Sequence, residues 1–257
     1  MYIKVSKANQ FQLLRTNSEL LAYLPETTVY NKDLLGLFLK RFSAVYVKHS
    51  TAGQGRGVFK VWRNDTGDIG FSGFSIHGIE SSGSVKTVEE FDYLLQPFRS
   101  STNGKAYILQ EAVNSSNHDG VPVSFRVHVQ KMKHGWVIGG TKGATGSGVI
   151  IDNGILNRNR GSITLPTYEV LENVLGMTIE ESKEATKLLE KVSILAAETM
   201  AVKYACREFG IDFGLENGIP KIFEMNTQPS IVAFSLLEDK SIWKQIVSNR
   251  KAQNQGL

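Results

Sequence analysis

The sequence predicts an α+β fold of two lobes with a cleft between them. Three observations lead there. The 257 residues are 41% hydrophobic and 21% charged, the balance of an ordered globular chain, and the length suits one large domain or two small ones. Strand-like runs fall into two groups, divided by the polar stretch Asn114 to Gly120. Helix-like patterns flank the glycine-rich middle of the chain.

Each element has its own signal. Asn31 can cap a helix over Lys32 to Phe42, with Leu34, Leu35, Phe38 and Phe42 on one side. Ala44 to Lys48 reads as a strand, Ala52 to Gly57 as a glycine-rich turn, and Val58 to Arg63 as the next strand. Ile69 to Ile76 is a further strand. Val88 to Gln96 is a helix that Pro97 should end. Ala106 to Glu111 is a buried strand. Pro122 to Gln130 alternates, with Val123, Phe125, Val127 and Val129 on one face. Trp136 to Thr141 continues a sheet. Thr178-Ile179-Glu180-Glu181 is a capping box opening a long helix that runs to Gly210 and contains Cys206. Ile211 to Glu216 and Ile219 to Met225 make a hairpin around Asn217-Gly218. A last helix covers Leu236 to Ser248, and the polar residues after Lys251 should fray.

Composition excludes several classes. The single cysteine, Cys206, rules out a disulfide framework and a multi-thiolate zinc site, and fits a reducing compartment. No run of about 18 apolar residues is present to cross a membrane, and Met1 to Val5 lacks the apolar stretch of a secretory signal. The expected location is cytoplasmic. Net charge is +4 with a pI near 9.0, a modest basic balance without any block of like charges.

Four constellations carry possible chemistry. Lys48 precedes Gly53, Gln54, Gly55 and Gly57. Strands flank this loop on both sides, so neither a Walker nor a Rossmann loop fits; it is either a flap over phosphates or an ordinary wide hairpin. Asp212, Glu224 and Asn226 offer oxygen donors of the kind Mg²⁺ takes, or else a solvated strand face. A two-residue turn pairing Glu216 with Ile219 puts Asp212 and Glu224 on opposite faces; a three-residue turn, or a bulge, brings all three together. Arg126 points away from the apolar face of its strand, toward either a phosphoryl oxygen or solvent. Lys142 lies in Gly139 to Gly148, an anion-contacting loop or a linker. Arg158 and Arg160 add a short basic stripe, but no aromatics interleave it for stacking on single-stranded nucleic acid. The five histidines, at 49, 77, 118, 128 and 134, show no metal-ligand spacing. Each is better read as structural or exposed.

Taken in order, these segments resemble the ATP-grasp superfamily, and within it the endospore coat-associated YheC/YheD type. The carrying segments are Tyr23 to Thr27, Val45 to Lys48 with its flap, Tyr107 to Glu111, Phe125 to Lys131, Gly210 to Gly214, and Phe223 to Pro229 with its Glu-x-Asn-x-x-Pro ending. The likeness covers roughly residues 7 to 245. The strand that usually reads Asp-Ile-Arg in the family is Ser124-Phe125-Arg126 here.

The resemblance implies an ATP-grasp fold, two α+β lobes holding ATP between them: an N-terminal helical segment (1–43), a small lobe with flap and hinge (44–113), and a large lobe with the metal site (114–257). It implies that Lys48 contacts ATP phosphates beneath the flap formed by Gly53, Gln54, Gly55 and Gly57. Gln110, Glu111, Ala112 and Val113 resemble an adenine-binding hinge. Asp212, Glu224 and Asn226 match the Mg²⁺ ligands, and Arg126 and Lys142 the groups that steady the transferred phosphoryl. Lys7 is offered as an N-terminal ATP-contacting lysine. The implied activity is a carboxylate–amine ligase using ATP and Mg²⁺; a non-catalytic spore-coat protein and a kinase are the alternatives. By the same resemblance, the superfamily's separate N-terminal domain is expected to be largely absent. That leaves a partner protein, a second copy, or a peptide or macromolecular substrate to complete the acceptor site.

Overall fold

Alternating apolar residues give each strand one face to bury, and two groups of such strands build two antiparallel sheets. The computed structural model describes residues 5–99, 107–146, 153–157 and 160–256. The chain opens with α1 (Lys7–Leu14), capped by the Ser6 hydroxyl, and a 3-10 turn over Ser18–Tyr23.

The first sheet comprises β1 (Thr27–Val29), β2 (Ala44–His49), β3 (Val58–Arg63), β4 (Ile69–Phe74), β5 (Glu80–Val85) and β6 (Tyr107–Glu111), in the order β1-β6-β2-β3-β4-β5. Two helices, α2 (Lys32–Arg41) and α3 (Val88–Arg99), cover one face. Leu35, Phe38, Phe91 and Leu95 pack there on Val45, Val47, Val61 and Leu109. The Asn31 side chain accepts from the Asp33 N–H at 2.8 Å, which starts α2 where the sequence predicts.

The second sheet comprises β7 (Val123–Met132), β8 (Gly135–Thr145), β9 (Ile163–Leu165), β10 (Glu208–Glu216) and β11 (Ile219–Asn226), in the order β11-β10-β7-β8-β9. A short α4 (Thr167–Glu169) and a π-turn over Val170–Val174 lead to α5 (Ile179–Ala201). Leu189, Val192 and Met200 of α5 pack on Val127, Ile211 and Phe213, and α1 adds Phe11 and Leu14 to the same core. The opposite face of this sheet is covered only in part, by a 3-10 turn over Val232–Leu236 and by α6 (Ser241–Gly256), through Phe234 and Ile246. The rest of that face looks across a cleft at the first sheet.

Several elements differ from expectation. The long helix ends at Ala201, because the Lys203 and Tyr204 amides both turn back to the Met200 carbonyl. Cys206 therefore lies beyond it, half-buried, ahead of β10. The last helix starts at Ser241, where the Asp239 carboxylate accepts from its N–H at 2.7 Å; Leu236 belongs to the preceding turn. The polar tail is helical as far as Gly256. Gln253 is buried and donates to the Lys131 and Arg207 carbonyls at 3.0 and 2.8 Å. Lys142 stands inside β8, not in a loop or linker, and the helix containing Pro97 continues to Arg99. Arg158 and Ala106 lie outside the described residues. No helix among the described residues is long and apolar enough to cross a membrane.

Phe213 is fully buried at the centre of the larger core. Phe213→Ala should lower the free energy of unfolding by about 3–5 kcal/mol, lost transfer energy and cavity together, read from the shift of a urea unfolding curve.

Candidate active site

The uncovered faces of the two sheets enclose a cavity of about 850 Å³. Lys48 enters it from β2. Its ammonium donates to the Gln110 side-chain oxygen and sits 5.1 and 5.4 Å from the rings of Tyr46 and Phe223. Burial pushes Lys48 down to about 8; Lys7 adds to that shift, while Glu224 and Asp212 oppose it. Gln110 is fully buried and also donates to the Thr27 hydroxyl at 3.1 Å. It fixes Lys48 rather than lining the cavity. Glu111 likewise accepts from the Glu26 N–H at 3.0 Å. Of this segment, Ala112 and Val113 form the cavity wall.

The glycine loop lies over one end. Gly53, Gln54 and Gly55 line the cavity, and Gly57 sits at the base, accepting from the His49 N–H. Gln54, Gly55 and Gly57 have φ of 61°, 66° and 62°, a run of left-handed backbone that turns the loop tightly. Its carbonyls are tied from three directions: Ala52 by the Lys7 ammonium at 2.8 Å, Gln54 by the Asn157 amide, and Gly55 by the Arg160 guanidinium at 3.3 Å. The Tyr46 hydroxyl donates across the cleft to the Asn153 carbonyl at 2.8 Å. Arg160 lies 3.4 Å over the Phe74 ring, so it serves as a latch against the small sheet.

The oxygen-donor trio, Asp212, Glu224 and Asn226, sits on the facing sheet. The hairpin turn has two residues, with Glu216 opposite Ile219 and positive φ at Asn217 and Gly218. That register alone would separate the carboxylates. A β-bulge at Phe223 corrects it: Phe213 pairs with Ile222, but Asp212 pairs with Glu224. The ring of the extra residue tips over Gly214, where a Cβ would come within 2.2 Å of Phe223 Cζ. One bulge and one glycine thus bring Asp212, Glu224 and Asn226 to a common face and put an aromatic ring beside Lys48.

Both carboxylates in this group are paired. Arg126 holds Asp212 with both arms of its fork, Nη2 to Oδ2 at 2.7 Å, and the Asn226 amide donates to the same Oδ2 at 3.0 Å. Lys7 is buried and meets Glu224 at 3.0 Å. Its helix is pinned because the Gln10 side chain accepts from the Met225 N–H at 3.0 Å. Lys142 is opposite Arg126 in register on β8. Burial pushes it down to about 8, Arg126 pushes it further, and Asp212 resists.

A second layer braces these groups. His128 is fully buried with Nε2 3.1 Å from Glu208, and burial holds its pKa below the ordinary imidazole value. Arg250 of α6 grips Glu208 at 3.0 and 2.7 Å and donates to the Pro229 carbonyl at 3.1 Å. Cys206 is pushed up by burial, which suits a packed thiol rather than a nucleophile. Sequence reasoning missed Phe223, Tyr46, Asn153 and Asn157 as parts of the site. It had only a weak reason for Lys7. Long-range contacts place all five, and none leaves a local pattern.

The YheC/D-like ATP-grasp family model matches residues 3–251. Among curated proteins, the chain is 24% identical over 245 residues to the endospore coat-associated protein YheD of Bacillus subtilis (strain 168). The match covers 90% of this chain and about half, 49%, of that relative's length. Among solved structures it resembles D-alanine–D-alanine ligase from Bacillus anthracis (TM-score 0.53, 14% identity, 99% of this chain and 70% of that one). It also resembles the D-cycloserine synthetase DcsG (TM-score 0.56, 12% identity, 97% and 70%). A third is the biotin carboxylase domain of the Hydrogenobacter thermophilus 2-oxoglutarate carboxylase (TM-score 0.52, 14% identity, 96% and 45%). At these identities the solved structures establish the fold, and the match over nearly the whole sequence establishes the lineage: the chain belongs to the YheC/D-like ATP-grasp family.

Proposed function

We propose that this chain is an ATP- and Mg²⁺-dependent carboxylate–amine ligase acting through an acylphosphate. One observation carries the reading: Lys48, Arg126 and Lys142 face Asp212, Glu224 and Asn226 in a single inter-sheet cavity beneath a glycine flap. The donor set fits Mg²⁺, being two carboxylates and an amide on one face of the sheet, all offering hard oxygens. Bound there, the ion would neutralise charge on the transferred phosphoryl group.

The residues of the chain then have separate tasks. Lys48, fixed by Gln110, meets the phosphate chain, and backbone N–H groups of the flap lie over it. Ala112 and Val113 border the adenine. Arg126 and Lys142 stabilise oxygens that gain charge as the substrate carboxylate attacks the γ-phosphorus and ADP departs. An amine then attacks the acyl carbon and phosphate leaves. The flap, held by Asn157 and Arg160, keeps water from the acylphosphate. Lys7 and Arg126 hold the two carboxylates of the free protein, and a bound ion would compete with them for those oxygens. The substrate we propose is a peptide or a spore-coat-related molecule, used in the cytoplasm or at the forming spore. A second reading, a coat component without catalysis, is favoured by the description of the Bacillus relative.

Calorimetry with Mg-ATP separates the two readings: the ligase binds nucleotide at micromolar to millimolar concentration, and no heat at millimolar Mg-ATP leaves the coat component. With acids and amines supplied, ADP release should fall at least about 100-fold in Glu224→Ala and Arg126→Ala, the scale of losing one preorganised charge contact. Turnover unchanged in Glu224→Ala refutes the metal assignment, and a phosphorylated rather than amide product identifies a kinase.

Lys48 and Lys142, both pushed down to about 8 by burial, are protonated below that pH and neutral above it. Affinity for Mg-ATP should therefore weaken about tenfold or more between pH 7 and pH 9.5. Binding above pH 8 should take up protons, seen as a buffer-dependent calorimetric enthalpy.

A further inference from the structure

The cleft face of the first sheet extends past the nucleotide cavity. Beyond Lys60 it floors a second cavity of about 1100 Å³, which shares Ser43, Ala44, Lys60 and Ile155 with the first. The cross-strand row Tyr46–Lys60–Ser72–Ser82 runs unbroken from one cavity to the other and out to the last strand. The chemistry proposed above uses none of this second floor.

Trp62 is built into it. Trp62 pairs with Gly70 on β4, and a Cβ at Gly70 would lie 2.5 Å from the indole Cε2 and 2.7 Å from Nε1. Glycine inside a strand weakens it, but only glycine lets the indole lie over β4. The half-buried ring is thus a fixed aromatic platform, a type of surface that gives contact area at low entropy cost. Lys60, Arg160 and Glu80 set charges of both signs around it.

The cavity ends at β5, which is an edge strand among the described residues. It pairs with β4 in unbroken register, from Ile69–Val85 to Phe74–Glu80, and with no other strand among the described residues. Glu80 to Ser84 are all exposed. Sheet edges are ordinarily blunted by brevity, proline, lysine, a bulge or a covering element. The opposite edge obeys this rule, since β1 has three residues and α1 lies against it. β5 has six, Glu-Ser-Ser-Gly-Ser-Val, with no proline, lysine or bulge.

We propose that β5 and the Trp62 cavity form a docking site for an extended polypeptide, which joins the sheet as an additional strand. Its backbone pairs with the outward N–H and C=O groups of β5, and every second side chain reaches the floor around Trp62. This deepens the ligase reading and rests on it: the substrate is a polypeptide, gripped by its main chain at a place distinct from the phosphates. Affinity then comes from backbone and platform, leaving the reacting group free to enter the nucleotide cavity.

The test begins with a phage-displayed library of random linear decapeptides panned against the full chain, and the most enriched sequence labelled with fluorescein. By fluorescence anisotropy, W62A should bind this peptide at least tenfold more weakly while keeping the wild-type circular dichroism and melting curve. N-methylation of alternate backbone amides of the peptide should weaken binding at least tenfold in one phase and leave the other phase unaffected. Bound peptide should slow amide exchange at residues 80–85. No enrichment, equal affinity for W62A, or equal effects of the two N-methyl phases overturns the proposal. It is also overturned if residues 80–85 are already protected in a dimer detected by sedimentation, since a second copy is then the occupant. A wild-type chain that binds the peptide by these criteria but gives no heat with Mg-ATP upholds the docking site and refutes the ligase reading instead.

Discussion

Four cationic side chains, Lys7, Lys48, Arg126 and Lys142, share one partly buried cleft with two carboxylates, and that charge imbalance governs the surrounding structure. Like charges brought out of water repel strongly, and burial adds its own penalty. Three of the four cations are held by direct contacts. Arg126 is clamped to Asp212, Lys7 to Glu224, and Lys48 to a glutamine that is itself held from behind. Lys142 has the weakest support, with only the attraction of Asp212 against burial and Arg126. The surplus of positive charge is a field that attracts polyanions.

The fold supplies the means of keeping these charges near one another. The facing sheet buries one side on α5 and α1, while α6 covers only half of the other. Along β7 the result is direct: Ser124 and Arg126 are half-buried toward the cleft, and His128 and Gln130 on the same side are buried under α6. The uncovered half lines the candidate site. The Glu208–Arg250–Pro229 contacts tie α6 to both ends of the oxygen-donor trio, so the helix that limits the site also steadies it.

Local chemistry was legible in the sequence wherever it is local in the fold. The capping box at Thr178, the Asn31 cap, the alternation of β7 and the Asn217-Gly218 turn all depend on residues a few positions apart. They appear as read. The two strand groups were also legible, because the polar stretch at Asn114 divides them. The remaining features depend on distant partners. The Phe223 bulge is stabilised by the space over Gly214 on the neighbouring strand. The edge strand β5 carries serine and glycine instead of a strand-forming pattern. The last helix keeps a polar tail because carbonyls from β7 and β10 receive Gln253. The oxygen-donor trio was recognisable by its order in the chain, but its shared face depended on an insertion that composition does not mark.

The polypeptide passes from one lobe to the other more than once, and the position of two of those passages matters. Residues 5 to 24 pack with the large sheet, and the chain crosses to β1 just after; it returns at the end of β6, between Glu111 and Ser115. These crossings run side by side, joined by the Glu111 N–H to the Glu26 carbonyl at 2.8 Å and by the Glu26 N–H to the Glu111 carboxylate. Two parallel tethers resist twisting and sliding in a way that one does not. What they leave free is rotation about the line they share, like a door on two pins. Lys7 rides with the large lobe and bonds the Ala52 carbonyl at the base of the flap, so the side chain that meets Glu224 also ties the flap to the facing sheet, close to the line on which those pins lie.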